Sequence, residues 1–169
     1  GQTLTRVAAV PTLGSARAVA VDGAWAVGGD SQGVLTVLDL GRSAPELAEP
    51  HLRRRLGAPI WGVAVADPVA FVGLATGLLL AVDLESGITL NRLPLSSGKV
   101  EDVVVAGHRV VALANGLLHL CDWNGTQLRR LDSAPSPGLT VNPTGGRSRL
   151  FTDRTRVYAT HPGGYNVFG

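Results

Sequence analysis

The residue types able to do chemistry are few in this 169-residue sequence, and they are scattered. The four histidines are His51, His108, His119 and His161. A metal centre needs ligands converging within about 2.0–2.2 Å of one ion. No HxH or HExxH spacing is present, so no metal site is expected. His119, between Leu118 and Leu120, reads as a packed or edge histidine. The most regular carboxylates are Asp39, Asp83 and Asp122, separated by 44 and then 39 residues. Acid–base work needs two carboxyls at one site. These recur singly, so their expected part is to bond turn backbone; His161 takes the matching place in a fourth stretch. Cys121 is the single cysteine, which excludes an intrachain disulfide framework and a cysteine zinc site. It aligns with Leu38 and Val82 and reads as a small buried hydrophobe. Ser31, Ser86, Ser97 and Ser136 fall in turn-like stretches with no GxSxG among them. Gly28-Gly29 and Gly145-Gly146 read as turn glycines, and no GxxxxGK[ST] phosphate loop occurs. No catalytic residue and no cofactor site follow from these patterns.

The elements that would position such residues are clearer. Ile60–Leu93 holds four short apolar runs, Gly62–Val65, Val69–Gly73, Leu78–Val82 and Ile88–Leu93. Turn residues separate them: Asp67-Pro68, Ala75-Thr76-Gly77 and Asp83 to Gly87. Four strands joined by tight turns make an antiparallel meander of about 40 residues, the size of a propeller blade. The pattern recurs. Gly33 to Asp39, Gly77 to Asp83 and Gly116 to Asp122 share one spacing, with VLTVL, LLLAV and LLHLC between. A meander that is apolar on both faces cannot bury them alone, and stacking blades does so. The expected fold is all-β, a β-propeller of about four four-stranded antiparallel blades, closed or part of a larger ring.

The approximate repeats are 17–56, 61–93, 101–131 and 138–169. In the first, Gly41–Pro50 departs from the pattern as a longer loop, and His51–Leu56 is the expected fourth strand on an edge. In the last, Leu139–Val141, Leu150–Thr152 and Val157–Thr160 fill the first three strand places, and Tyr165–Phe168 starts the fourth. Thr3-Leu4-Thr5-Arg6-Val7 looks like Thr89–Leu93 and Gln127–Leu131, the last strands of two units. An N-terminal strand over 3–10 would therefore belong to a neighbouring blade or close the ring. No amphipathic helical window stands out.

Composition sets the remaining bounds. Hydrophobic residues are 45% and charged residues 17%, which disfavours disorder and suits a chain long enough to bury a core. The formal charge is +2, and Lys99 is the lone lysine, so arginine use fits a GC-rich coding bias, as in a bacterial protein. Arg53-Arg54-Arg55 reads as a charge-protected edge strand, and no nucleic-acid partner is expected. No apolar run reaches about 18 residues and no signal peptide opens the chain, so no membrane partner is expected. Methionine is absent even at position 1, which suggests a processed product or a segment of a longer protein.

Val19-Ala20-Val21-Asp22-Gly23-Ala24-Trp25-Ala26-Val27 with Leu35–Leu40 resembles the LVIVD repeat. Leu80 to Gly87 is similar to the ALDxxTG element of quinoprotein-like propellers, and Val82-Asp83 stands where WD-repeat blades carry Trp-Asp. The quinoprotein likeness would imply a tryptophan after the TG turn, and Ile88–Arg92 holds none. Propellers of these kinds bind through the loops before strand one and between strands two and three. The resemblance maps that face to Trp61, Lys99 and Glu101 in the first set and to Asp30, Gln32, Asn115 and Asp153 in the second. Trp61 is the first choice, since exposed tryptophan anchors contacts. The expected function is a non-catalytic protein-interaction or scaffold module. Its partner would be another protein chain or the remaining blades of a longer parent. The alternative is an enzyme or cofactor-binding propeller whose site missing blades or a partner chain complete.

Overall fold

The structure is a computed structural model that describes residues 3–6, 8–42, 49–138, 148–153 and 155–169. Among these, every regular element is a β-strand. Blade 1 is β1 (Ala16–Asp22), β2 (Trp25–Asp30), β3 (Val34–Asp39) and β4 (Leu52–Arg55). Blade 2 is β5 (Ile60–Ala66), β6 (Val69–Leu74), β7 (Leu78–Asp83) and β8 (Thr89–Pro94). Blade 3 is β9 (Val100–Ala106), β10 (Arg109–Ala114), β11 (Leu117–Trp123) and β12 (Leu128–Pro135). Blade 4 shows three strands among the described residues, β13 (Leu150–Thr152), β14 (Val157–His161) and β15 (Gly164–Phe168). Each blade is an antiparallel meander in chain order. The chain is thus an all-β propeller array of about four blades.

The recurring glycine has two reasons to be there. Gly33 and Gly77 open the third strand at φ 78° and 81°, a backbone region that side chains rarely adopt. The link leaving the same blade also passes over them. A Cβ on Gly77 would lie 2.0 Å from the Ser96 carbonyl oxygen, and one on Gly33 would lie 2.4 Å from that of Ala58. Leu56 and Leu95 then return their N–H groups to the Gly33 and Gly77 carbonyls at 2.8 and 2.9 Å, which pins each link to its own blade.

Packing follows the alternation of the strands. Trp25, Val27, Leu35 and Val37 of blade 1 meet Ile60, Val63, Val65, Val72 and Leu80 of blade 2. The opposite face of blade 2, including Phe71, Leu79 and Ala81, meets Val103, Val110, Ala112, Cys121 and Leu128 of blade 3. Val111, Leu113 and Leu118 then meet Leu150 and Ala159 of blade 4. First strands pack on first strands, β1 on β5, β5 on β9 and β9 on β13; among the described residues β13 and β1 do not pack to that extent.

Three expectations change. Of the strand expected over 3–10, residues 3–6 and 8–10 carry no strand pairing and Val7 lies outside the described residues. Leu139–Val141 lie outside the described residues, as do Gly145-Gly146. Leu150–Thr152 is the first strand of blade 4, because β13 is the one packed on β9. Tyr165–Phe168 is therefore in the third strand, and His161 sits at the turn between strands two and three. Gly28-Gly29 lies inside β2, where an added Cβ on Gly29 would meet Ile60 Cγ2 at 2.3 Å. That glycine marks close approach of blades.

Candidate functional site

The feature that gathers the expected binding residues is a set of β-bulges. The pairing of first with second strand slips between Ala16 and Ala18, between Ile60 and Gly62, and between Val100 and Asp102. The extra residues are Arg17, Trp61 and Glu101, one in each of blades 1 to 3. A bulge re-aims its side chain out of the alternation. The Arg17 guanidinium carbon lies 4.2 Å from the Trp61 ring centroid, and Lys99 Nζ lies 4.2 Å from the same ring. The indole thus carries two cation–π contacts, one cation from blade 1 and one from the link into blade 3. Glu101 follows Lys99 by two positions and is half-buried.

The turns between strands two and three share this end of the blades. Asn115 takes φ 52° ahead of Gly116 at φ 75°, the pairing that a tight hairpin demands. It is exposed, and its side chain lies near Gly98, beside Lys99. Gln32 is exposed in the corresponding turn of blade 1. Asp30 is fully buried. Its carboxylate accepts the N–H groups of Gly14, Gln32 and Val34, each at 2.9 Å. Burial pushes its pKa up, and the backbone donors of Val34, Gly14, Gln32 and Leu13 together outweigh it and hold it below 3.8. Asp30 anchors the turn through these bonds.

Asp153 stands apart from the others. It occupies the β13–β14 turn, at the opposite end of the blades, because β13 packs on β9 as a first strand does. There it accepts the Tyr158 hydroxyl at 2.7 Å and the N–H groups of Thr155 and Arg156, which lower its pKa. The structure sets Lys99 against the Trp61 ring, and Glu101, Gln32 and Asn115 lie at the same end of their blades. Arg17 opens the 17–56 repeat but was not read as a binding residue, because the apolar alternation starts only after it. Setting Ser15-Ala16-Arg17 against Pro59-Ile60-Trp61 would have found it.

The regular aspartates divide. Asp83 accepts the Ser86 N–H at 2.8 Å and the Ser86 hydroxyl, and these bonds hold its carboxyl below its usual value. Asp39 accepts the Gly41 N–H at 2.9 Å. Asp122 instead pairs with Arg109 at 3.1 Å, and Asn124 organises its turn through the N–H groups of Thr126 and Gln127. Cys121 is fully buried, and burial pushes its thiol up to about 12. His119 is also buried, and neither ring nitrogen forms a hydrogen bond of good geometry. Burial, and secondarily the Arg130 charge, lowers its pKa against a weaker pull from the Ala114 backbone. Among the described residues, no three His, Cys, Asp or Glu side chains converge as metal ligands would.

No family model matches the chain, and no curated protein matches it. Solved structures do. The computationally designed Ika4 protein aligns at TM-score 0.73 with 15% identity, over 98% of each chain. BamB from Moraxella catarrhalis aligns at 0.62 with 16% identity, over 83% of this chain and 40% of that one. A chain of the Mitotic Checkpoint Complex aligns at 0.69 with 14% identity, over 89% and 47%. The chain thus spans under half the length of the last two, both propeller proteins. Identities this low speak for the fold alone, and the fold they support is the β-propeller.

Proposed function

We propose that the chain is a non-catalytic protein-interaction module, a scaffold propeller whose blade array is continued by other protein. One observation carries the reading. Blade 2 buries both faces against its neighbours, whereas each end blade keeps an apolar face in solvent. Val19 and Val21 of blade 1 are 76% and 63% exposed; Phe151 and Tyr165 of blade 4 are 56% and 66% exposed. They occupy the register positions that inner blades use for packing. Blades of this kind are stable when both faces are stacked, and a contiguous bare apolar patch marks an interaction surface. The continuation is another protein chain or further blades of a longer parent. Trp61, flanked by Arg17 and Lys99 at the end of the blades that carries Glu101, Gln32 and Asn115, is the second docking surface. An aromatic anchor between two cations suits an acidic segment of a partner. The LVIVD-, WD- and quinoprotein-like stretches support no narrower assignment.

Sedimentation velocity with an apolar-surface dye tests the reading. The expected result is either an assembly or a monomer that binds the dye at sites removed by Val19→Asp and Phe151→Asp. A monomer that binds no dye overturns it.

A further inference from the structure

Blade 3 carries two Asn-Gly pairs in its turns, Asn115-Gly116 and Asn124-Gly125. Both asparagines and Gly125 are exposed, and Gly116 is half-buried. Such a pair holds a nucleophile and an electrophile side by side. The glycine nitrogen, once it loses its proton, can attack the asparagine side-chain carbonyl carbon, and no Cβ on the glycine obstructs it. The fold decides whether that carbonyl is free to turn towards the nitrogen.

The two sites differ on this point. Asn124 Oδ1 accepts the Thr126 N–H at 3.0 Å, the Thr126 hydroxyl at 3.1 Å and the Gln127 N–H at 2.8 Å. These bonds hold its amide plane against the residues that follow, and ring closure with Gly125 must break them. Asn115 makes no side-chain hydrogen bond among the described residues. Its Oδ1 lies beside the link into β9, where a Cβ added on Gly98 would stand 3.9 Å away.

The nucleophile at this site is uncommitted as well. In the corresponding turns of blades 1 and 2, Gly33 and Gly77 donate their N–H groups to the Asp30 and Leu74 carbonyls at 3.2 Å. Blade 3 turns more tightly. Ala114 pairs with Leu117, which leaves only Asn115 and Gly116 in the loop, both at positive φ. Among the described residues the Gly116 N–H makes no backbone hydrogen bond of that kind. The Gly125 N–H is equally uncommitted, so the difference between the sites lies in the electrophile. Lys99 follows Gly98 in the link beside Asn115, and a cation there favours the deprotonated, attacking nitrogen.

We infer that Asn115 is a site of spontaneous deamidation in the folded protein and that Asn124 is protected. The Gly116 nitrogen gives its proton to solvent base and bonds to Asn115 Cγ. The side-chain nitrogen leaves as ammonia, and a cyclic imide remains. Water then opens the imide at Cγ to give an aspartate, or at the main-chain carbonyl to give an isoaspartate. Nothing is oxidised or reduced, and water is the one co-reactant. The site stands independently of the interaction-module reading, but its product changes the same end of the blades as Trp61. Either product adds a negative charge where Asn115 was neutral. The isoaspartate also adds a methylene to a main chain that spans the hairpin in two residues. That strains the Ala114–Leu117 pairing and the bond from the Ser136 N–H to the Gly116 carbonyl, 3.1 Å long.

Ageing the intact chain in mildly alkaline buffer tests this. Ion exchange should show a growing acidic form, and peptide mapping by mass spectrometry should place it at Asn115. Conversion there should run several-fold faster than at Asn124, and an isoaspartyl methyltransferase should label the same peptide. Asn115→Gly keeps a dipeptide suited to the turn and should abolish the acidic form; Asn124→Gly should leave it. In urea, where both turns are lost, the two pairs should react at similar rates. Hydrogen exchange at Leu117 and Ser136 should quicken in the isoaspartyl fraction. Equal rates at the two sites in the folded protein, faster reaction at Asn124, or reaction at Asn115 only after unfolding overturns the inference.

Discussion

Asp102 Oδ2 accepts the backbone N–H of Leu150 at 2.9 Å, across 48 residues of sequence. The carboxylate is nearly buried, with Arg149 3.9 Å away. It fastens the first strand of blade 4 to the first strand of blade 3. Asp102→Ala leaves a buried N–H without its acceptor, which costs about 1–3 kcal/mol. Urea denaturation should show that loss, and hydrogen exchange should quicken first at Leu150 and Ala159. Asp102→Asn retains an acceptor oxygen and should cost less. Unchanged exchange in blade 4 would mean that the bond is incidental.

Trp61→Ala removes both cation–π contacts at the bulge. Each is worth about 0.5–1 kcal/mol at an exposed position. The expected stability loss is about 1 kcal/mol or slightly more, with sedimentation unchanged. A loss several times larger would assign Trp61 to the core instead of a docking surface.

The Cys121 thiol, pushed up to about 12 by burial, should not react with a thiol reagent at pH 8 in the native protein. It should react fully once the chain is unfolded. Rapid labelling of the native state would contradict the packing of blades 2 and 3 described above.

His119 gives stability an acid-sensitive component. Its folded pKa lies below the ordinary 6.5, so the unfolded chain binds the proton more readily. Its contribution is constant above about pH 6.5 and falls as the pH drops through that value towards the folded pKa. Asp30 and Asp83, held below 3.8, lose their contribution only in stronger acid. His119→Leu replaces two poorly bonded nitrogens with carbon. It should raise stability overall and flatten the fall that begins near pH 6.5 while leaving the stronger-acid loss in place. A variant with the wild-type slope in that range would show that another group is responsible.

Much of the blade architecture was legible because it is written locally. The Gly77-to-Asp83 spacing reports a hairpin, an overlying link and a turn carboxylate, all within one unit. In blade 4 the stretch read as the first strand lies outside the described residues, and β13 is only three residues long, so little in the local pattern marks Leu150–Thr152 as the strand that packs on β9. The site was half legible. Trp61, Lys99 and Glu101 follow from blade grammar, but a bulge breaks the alternation that a reader follows, and Arg17 vanished into it. Asp30 could not be told from Asn115 by sequence. Both sit at the same turn, and only the three converging N–H groups show that one carboxylate is turned inward.

The three tryptophans sit at blade junctions. Trp25 Nε1 donates to Asp67 Oδ1 at 3.1 Å between blades 1 and 2, Trp61 meets Arg17 across the same boundary, and Trp123 meets Phe71 between blades 2 and 3. Blade 4 holds none. Tryptophan emission, excited at wavelengths that Tyr158 and Tyr165 of blade 4 do not absorb, is therefore a spatially selective optical gauge. It reads the first two junctions and is blind to the third, so the last blade can detach without altering the signal. Far-ultraviolet dichroism would register that detachment, and the gap between the two melting curves would measure how independently the final blade comes away.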